Sequence, residues 1–344
     1  MLGLFKAEWC DRVNAWAINI FFSFCFSFLI TFYLIPFFRI IAQRFQFVDK
    51  PDGSLKKQKA AVPYLGGVAL FLGFVITLAF VCPAHNQFFL LLIGSTILLF
   101  IGFLDDAIIM SPLQKLFGQF IATFCFLKAG LYIKEQFFFN FWNIPLSTLW
   151  ILTVINAFNL VDVMDGLASI IALCSTSMFL IIALFLRMYE VIPLLATFIG
   201  ALLAFFWYNR PSARIYLGDA GSLFIGGFLA VIPFLFNWGT YNWFGYLTPI
   251  IILGIPLLEI VGLIIIRSYK GIPFFRGSPD HFSSYLLSSG WGKWPILLYV
   301  SVLSLLLMVA AFLFVSNKIP TKSIVIMAFL FIVNWLMILK NSNY

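Results

Sequence analysis

Two adjacent carboxylates, Asp105 and Asp106, directly follow an apolar run, and Lys115 comes shortly after them in the chain. Carboxylates that share a small space repel each other, and one of their pKa values rises unless a cation lies between them. The pair is therefore typical of a site for Mg²⁺, for a phosphate-bearing substrate, or for both. The alternatives are a solvated helix end for the aspartates and an interfacial anchor for Lys115.

A second polar cluster places Asn156, Asn159, Asp162 and Asp165 at every third position before Gly166. Three residues turn an α-helix by about 300°, so the first and last members of the cluster face nearly opposite directions. We therefore expect a helix that ends near Asp162, followed by residues that line a pocket. Polar groups at membrane depth are costly and usually functional, and hydrogen bonds between helices are the structural alternative.

A third cluster, which contains Gly218, Asp219, Gly221 and Ser222, opens a further apolar run. Glycine lets backbone approach a ligand closely, and Ser222 has the side chain of an N-cap. The N-terminus of a helix favours anions such as phosphates. Asp219 at that position would repel a bare phosphate, which favours a bridging cation.

The loop after Arg267 carries Arg276 and His281, which are candidates for holding a diphosphate, whereas Lys270 and Lys293 resemble ordinary charges of a cytoplasmic loop. Glu259 lies inside an apolar run without an identifiable partner. The chain has two histidines and five cysteines, and the cysteines show no paired spacing. A zinc or haem site is therefore disfavoured, and a metal here is expected to be a hard cation held by carboxylates.

These clusters belong to a chain of 344 residues that is 63% hydrophobic and only 10% charged, with a mean hydropathy of +1.05. This composition excludes a soluble enzyme, a secreted disulfide scaffold, a nucleic-acid-binding domain and a disordered chain. We predict an all-α, polytopic transmembrane bundle that forms a single domain over 1–344. About eleven spans are expected, at 15–38, 64–82, 88–104, 113–131, 145–161, 166–186, 191–208, 221–238, 245–266, 295–316 and 322–340.

The formal charge of +8 is interpreted as the positive-inside bias of cytoplasmic loops, with no nucleic acid as partner. If the basic loop after the first span is cytoplasmic, that side carries about twice as many lysines and arginines as the other. This predicts an N-terminus outside and a C-terminus in the cytoplasm. The aspartates of all the clusters then lie at the cytoplasmic face.

Taken together and in this order, the clusters resemble the polyprenyl-phosphate N-acetylhexosamine-1-phosphate transferase family. The resemblance covers about residues 39–290 and includes Gln119 after Lys115, and Gly66-Gly67 preceded by Lys59. It implies that undecaprenyl phosphate attacks the β-phosphate of a UDP-N-acetylhexosamine and releases UMP. It also implies a multi-pass protein of the cell inner membrane with its active site at the cytoplasmic face, where the product starts a cell-envelope polysaccharide such as the O-antigen.

The resemblance also implies roles for individual residues. Mg²⁺, or alternatively Mn²⁺, would be held by Asp219 with Asp105 and Asn159, and Asp105 and Asp106 would bind or deprotonate the lipid phosphate. Lys59, Lys115, Arg276 and His281 would lie near the phosphates. The remaining expected substrate contacts are Asn156, Asn159, Asp162, Asp165, Asn209 and Tyr216, of which the last four match positions that hold or stack on the uridine.

Two departures from the family pattern affect the expected substrate. The family's last loop usually carries a His-x-His-His cluster, of which only His281 is present here, and Val163 replaces a glycine of the second motif. The missing histidines favour a simple UDP-sugar such as UDP-GlcNAc over the peptidoglycan precursor. Two alternative functions are a membrane prenyltransferase, which would need Asp-x-x-x-Asp motifs, and a cation-coupled transporter, which would need more midplane acids than Glu259.

Overall fold

A computed structural model describes residues 2–49, 61–81, 86–108, 110–134, 140–273, 275 and 277–340. These residues are almost entirely helical. The helices are α1 (Leu2–Arg44), α2 (Gly66–Val81), α3 (Asn86–Ile108), α4 (Pro112–Lys128), α5 (Asn140–Val161), α6 (Leu167–Phe185), α7 (Ile192–Asn209), α8 (Gly218–Val231), α9 (Thr248–Ile252), α10 (Gly254–Tyr269), α11 (Phe282–Ser288), α12 (Lys293–Val315) and α13 (Thr321–Lys340). Two short strands, β1 (Val48–Asp49) and β2 (Val62–Pro63), pair antiparallel, and two 3₁₀ helices cover Ile232–Leu235 and Gly245–Leu247.

The helical membrane-protein class is confirmed. In the described part of the chain, eight helices are long and apolar enough to cross a membrane, and the pair α9–α10, bent by 70°, would make a ninth. The predicted runs at 64–82 and 113–131 correspond to α2 and α4, which have only 16 and 17 residues. Sixteen residues span about 24 Å, less than the ~30 Å hydrocarbon core of a bilayer. The count of eleven spans and the orientation stay predictions.

Helix α8 forms the centre of the bundle. Every residue of α8 except Asp219 is buried, and the helix packs against α2, α3 and α5. At the periphery, α13 exposes large apolar side chains such as Phe329 and Leu330. An apolar exterior around a tightly packed interior is the arrangement expected of a protein whose outer surface faces lipid. Asp219, the one residue of the central helix that is not fully buried, is therefore the first position to examine for function.

Close packing of α3 on α8 determines where Asp219 lies. A Cβ atom at Gly102 of α3 would overlap the carbonyl group of Asp219 and the amide nitrogen of Ala220. Small residues at helix contacts let backbones approach closely in membranes, where lipid supplies no hydrophobic drive for association. This contact brings the first turn of α8 beside the last turns of α3, which carry Asp105 and Asp106.

We predict that Gly102→Ala lowers the stability of the protein, although alanine is the better helix former. An added methyl group has no space against the backbone of α8, and overpacking of this kind costs about 1–3 kcal/mol. The measurement is the thermal unfolding midpoint in detergent. Gly277→Ala is the matched control, because a Cβ there meets no atom within 4 Å. Equal midpoints for the two variants would contradict the close contact.

Candidate active site

The ammonium group of Lys115 joins three helices at one end of the bundle. It donates to Oδ2 of Asp105 on α3 at 2.9 Å and to Oδ1 of Asn159 on α5 at 3.1 Å. It also forms an ion pair with Oδ2 of Asp219 on α8. The three residues predicted to hold a metal are therefore brought together around a single ammonium group, and their oxygens form one cluster. Their role as metal ligands stays a prediction. We call Lys115, Asp105, Asn159 and Asp219 the Lys115 cluster.

The start of α4 positions Lys115. Ser111 is the N-cap: its Oγ accepts from the amide of Gln114 at 3.4 Å, and the amide of Ser111 donates to Gln114 Oε1 at 2.9 Å. Pro112 at the first helical position is preorganised for the helix. This reciprocal capping box fixes where α4 begins, so Lys115 emerges in its first turn.

Asp106 binds the N-terminus of α8. Its two carboxylate oxygens accept from the backbone amides of Asp219, at 2.9 Å, and Ala220, at 3.1 Å. Gly218, which opens the helix with φ +72°, leaves room for this carboxylate: a Cβ there would lie 2.5 Å from Asp106 Oδ2. A carboxylate also interacts favourably with the positive end of a helix dipole. The adjacent carboxylates Asp105 and Asp106 are thus balanced by different partners, an ammonium and a helix end.

Asn159 links the Lys115 cluster to the second turn of α8. Its Nδ2 donates to Asp219 Oδ1 at 2.8 Å and to Ser222 Oγ at 3.0 Å. The interpretation of Ser222 as an N-cap is wrong, because α8 begins at Gly218 and Ser222 lies within the helix. Its hydroxyl instead accepts from Asn159, a contact that requires the two helices to be adjacent in space.

The loop between α5 and α6 carries two more aspartates beside the cluster. Helix α5 ends at Val161, as predicted, and Asp162 and Asp165 follow it. Burial, together with the negative charges of Asp219, Asp106 and Asp165, raises the pKa of Asp162 well above its ordinary value. Asp165 Oδ2 accepts from the ammonium of Lys293 on α12 at 2.7 Å. Asp162 is thus favoured as a neutral acid, and Asp165 is paired with Lys293.

Tyr216 lies beside these aspartates, with its ring centroid 6.1 Å from that of Tyr64. Burial, and after it the charges of Asp165, Asp49 and Asp162, raises the pKa of Tyr216 to about 12. The backbone of Tyr216 pairs with the segment before α2, since its amide donates to Pro63 O at 2.8 Å and its carbonyl accepts from Gly66 N at 3.0 Å. The motif at 63–67 therefore supports the loop that leads into α8.

Two predicted substrate-binding residues make contacts within the protein. Asn209 is buried: its Oδ1 accepts from Gly166 N at 3.0 Å and its Nδ2 donates to Ile215 O at 3.0 Å. Asn156 exchanges hydrogen bonds with Gln119 of α4, at 2.8 and 3.3 Å. These contacts fix the loops and helices around the site, and binding of substrate by either residue stays a prediction.

His281 belongs to a neighbouring cluster at the α10–α11 junction. Its Nδ1 lies 3.0 Å from Oε1 of the buried Glu259, which supplies the partner that sequence reasoning left unnamed. Lys270, interpreted as an ordinary loop charge, pairs with Asp280 at 2.6 Å. In the part of the chain that the structure describes, no hydrogen bond or ion pair joins His281 to the Lys115 cluster. Lys59 and Arg276 lie outside the described residues.

The pairing of Asp165 with Lys293 was missed by sequence reasoning. Lys293 was interpreted as an ordinary charge of a cytoplasmic loop, like Lys270, and more than a hundred residues separate it from its partner. Its one sequence signal was its place directly before an apolar run. A partner at that separation becomes visible only when the packing of α12 on α6 is known.

The Lys115 cluster fits a hard cation. Two carboxylates and an amide oxygen surround the Lys115 ammonium, so these oxygens converge on positive charge. Among the described residues, no group of three or more His, Cys, Asp or Glu side chains could hold a metal by itself. Mg²⁺ is usually bound through one or two carboxylates, with water and substrate phosphates as its other ligands. The donor set therefore suits Mg²⁺ shared with a phosphate substrate.

Comparison with known proteins places these residues inside a region that matches a known family. Residues 88–237, which include the whole Lys115 cluster, match the model of a family described as glycosyl transferase family 4. An undecaprenyl-phosphate alpha-N-acetylglucosaminyl 1-phosphate transferase of Thermotoga maritima is 31% identical over 280 residues, which cover 81% of this chain and 85% of the relative. A phospho-N-acetylmuramoyl-pentapeptide-transferase of Enterococcus hirae is 32% identical over 265 residues, with coverage of 69% and 79%.

A third relative, from Bacillus subtilis, is similar over most of both chains. It is named "Probable undecaprenyl-phosphate N-acetylglucosaminyl 1-phosphate transferase" and is 29% identical over 325 residues, which cover 92% of this chain and 88% of the relative. The relatives thus include enzymes named for two different sugar phosphates.

We predict that Asp162→Asn stabilises the protein increasingly as pH rises. Because the folded-state pKa of Asp162 is raised, its stabilising contribution is complete below about pH 4, its unfolded value, and is lost as pH rises through the folded value. Asparagine mimics the neutral acid at every pH. The unfolding midpoint of the variant should match that of the wild type in acid and exceed it at alkaline pH. The difference should be about 2–4 °C for each kcal/mol by which the ionised Asp162 destabilises the wild-type fold.

Asp280→Asn is the control of opposite sign. Burial raises the pKa of Asp280, but hydrogen bonds from Lys270, Tyr285 and Ser278 together lower it below its ordinary value. Its carboxylate therefore stabilises the fold above that ordinary value, and Asp280→Asn should lower the midpoint throughout pH 5–9. An Asp162→Asn difference that stays constant or shrinks with rising pH would contradict the raised pKa.

Proposed function

The chain belongs to glycosyl transferase family 4, and on this premise we propose that it transfers a sugar 1-phosphate from a UDP-N-acetylhexosamine to undecaprenyl phosphate. An oxygen of the lipid phosphate forms a bond to the phosphorus that carries the sugar, and the bond between the two phosphates of the nucleotide breaks. UMP leaves, and the lipid keeps a diphosphate sugar. The observation that carries the proposal is the convergence of Asp105, Asn159 and Asp219 on Lys115 at the end of the central helix.

Transfer between phosphates depends mainly on positioned charge. Lys115 supplies a cation that is mostly buried and held by three fixed oxygens, so it is oriented before substrate arrives. A phosphate monoester has its second pKa near 6 and is already largely ionised at neutral pH. The attacking oxygen therefore needs orientation more than deprotonation. Asp106, whose two oxygens accept from α8, serves this by holding Asp219 in place.

Mg²⁺, with Mn²⁺ as a substitute, is the proposed cofactor, and Asp219, Asp105 and Asn159 are its proposed ligands. When bound, such a cation offsets the repulsion between carboxylates and phosphates and stabilises the charge of the diphosphate. Lys115 forms contacts with the same oxygens. We infer that Lys115, held beside these oxygens, also contacts the substrate phosphates.

The α5–α6 loop and Tyr216 form the proposed uridine site. Asp162, as a neutral acid, can donate a hydrogen bond to a uracil carbonyl, and the Tyr216 phenol stays protonated at physiological pH. The aromatic pair of Tyr64 and Tyr216 offers ring faces for stacking. Asn209 and the Asp165–Lys293 ion pair hold the surrounding loops. The residues proposed to lie near the phosphates are Lys59, Arg276 and His281. Asn156, which is bonded to Gln119, is proposed as a further substrate contact.

GlcNAc-1-phosphate is the proposed group transferred. Relatives named for GlcNAc-1-phosphate and for phospho-N-acetylmuramoyl-pentapeptide have nearly the same sequence identity to this chain. The missing histidines beside His281 favour the smaller sugar. The proposed location is the inner membrane, with the Lys115 cluster at the cytoplasmic face, and the product would start a cell-envelope polysaccharide such as the O-antigen. Family membership disfavours the prenyltransferase and transporter alternatives.

We predict that the purified protein releases UMP from UDP-GlcNAc only when both undecaprenyl phosphate and Mg²⁺ are present. Asp219→Ala should lower the turnover about 100-fold or more, because it removes a proposed metal ligand and one of the oxygens that hold Lys115. Glu190→Gln, which changes a carboxylate at the opposite end of the bundle, should keep full activity. Full turnover by Asp219→Ala, or UMP release without lipid phosphate, would contradict the proposed function.

A further inference from the structure

The far ends of the helices that form the active site line a cavity at the opposite face of the bundle. This cavity, of about 600 Å³, is bordered by Gln87 and Phe88 at the start of α3 and by Phe234 and Leu235 after α8. Along α3, Gln87 and Asp105 are separated by about 27 Å at 1.5 Å per residue. That separation is close to the ~30 Å core of a bilayer, so the cavity and the Lys115 cluster lie at opposite membrane faces.

The cavity is lined by two cations, Lys134 and Arg187, and by one carboxylate, Glu190. Within the described part of the chain, none of these three side chains forms an ion pair within 4 Å; Glu135 lies outside it. Lys134 is held over the ring of Tyr132, at 5.8 Å, and also lines an adjoining cavity of about 340 Å³. The described residues that line the cavity therefore carry two positive charges and one negative charge, and there is space beside both cations.

Arg187 occupies a backbone conformation that is unfavourable for its residue type. It has φ +58°, and its amide and that of Met188 close the end of α6 by donating to Leu184 O and Ala183 O. At the same face, α4 and α12 end through left-handed residues that suit the position better, Gly130 at φ +77° and Asn317 at φ +55°. Because glycine would relieve this strain, the Arg187 side chain is the group at this position to examine for a function.

Exposed aromatic side chains lie at this face of the bundle, one of them lining the cavity and the others close in the chain to residues that line the two cavities. Phe89 on α3, Phe141 and Trp142 on α5, and Tyr189 beside Arg187 are all exposed. Of these, Trp142 and Tyr189 belong to the residue types that concentrate at the level of lipid headgroups. The two cations thus lie at the depth at which a lipid phosphate is found, with apolar surface nearby for its chains.

We propose that this cavity binds the phosphate headgroup of an anionic phospholipid at the membrane face opposite the active site, through Lys134 and Arg187. The site is separate from the proposed catalytic function, because its ligand contacts no residue of the Lys115 cluster. The lipid is expected to bridge the α6–α7 turn, which carries Arg187, and the segment after α4, which carries Lys134.

The test uses the full chain in nanodiscs of phosphatidylcholine, with and without phosphatidylglycerol, and without nucleotide sugar or undecaprenyl phosphate. Retained phosphatidylglycerol is counted by native mass spectrometry and its affinity is measured by titration. Arg187→Gly and Lys134→Gln should each weaken phosphatidylglycerol binding about fivefold, the effect of one basic residue near an anionic lipid. Lys318→Gln, which removes an exposed cation at the same face outside the cavity, should bind like the wild type.

Two further measurements distinguish a lipid-binding role of Arg187 from a structural role and from binding of a free phosphate. In phosphatidylcholine alone, Arg187→Gly should unfold at the wild-type temperature or above, because glycine favours the left-handed conformation; a lower temperature would show that Arg187 is structural and overturn the proposal. Glycerol 1-phosphate in solution should not raise the unfolding temperature. The proposal would also be overturned if glycerol 1-phosphate raised the unfolding temperature as much as phosphatidylglycerol does, and this rise required Arg187. It would be overturned as well if Lys318→Gln lost as much phosphatidylglycerol binding as Arg187→Gly.

Discussion

The candidate site depends on one constraint: several carboxylates must share a small space at the end of a membrane bundle. Four of them, Asp105, Asp106, Asp162 and Asp219, are neutralised by three different means. The Lys115 ammonium pairs with Asp105 and Asp219, the amides at the start of α8 bind Asp106, and burial favours the protonated form of Asp162. Each solution uses the end of a different helix, so the site requires the ends of α3, α4, α5 and α8 to meet.

The packing of the central helix makes these positions rigid. Helix α8 is buried along its length, and its first turn touches the backbone of α3 at Gly102 and accepts Asp106 beside Gly218. The loop that precedes α8 is bonded to the segment before α2. The backbone of Asp219 is thus fixed by Asp106 and by the contact with Gly102, and its side chain is bound by Lys115 and Asn159. A site that is positioned before its substrates arrive can offset phosphate charge without reorganising.

Much of this arrangement could be predicted from the sequence. The apolar runs identify the helices, and the polar spacing from Asn156 to Asp165 places the end of α5 correctly, because a helical stripe cannot keep all four groups on one face. The spacing does not show that Asp106 caps a different helix, that Ser222 bonds Asn159, or that Lys293 reaches Asp165. These contacts join distant parts of the chain, and local periodicity contains no information on which helix ends meet.

The central claim is that the oxygens of Asp105, Asn159 and Asp219 form a cation site that Lys115 now shares. The most direct test is the binding of Mn²⁺, followed by electron paramagnetic resonance, to protein without substrates. Lys115→Gln should bind Mn²⁺ at least about tenfold more tightly than the wild type, because a positive charge close to the metal is removed. Adding Asp219→Asn to that variant should abolish the gain. An unchanged Mn²⁺ affinity in Lys115→Gln, or a gain that survives Asp219→Asn, would contradict the account.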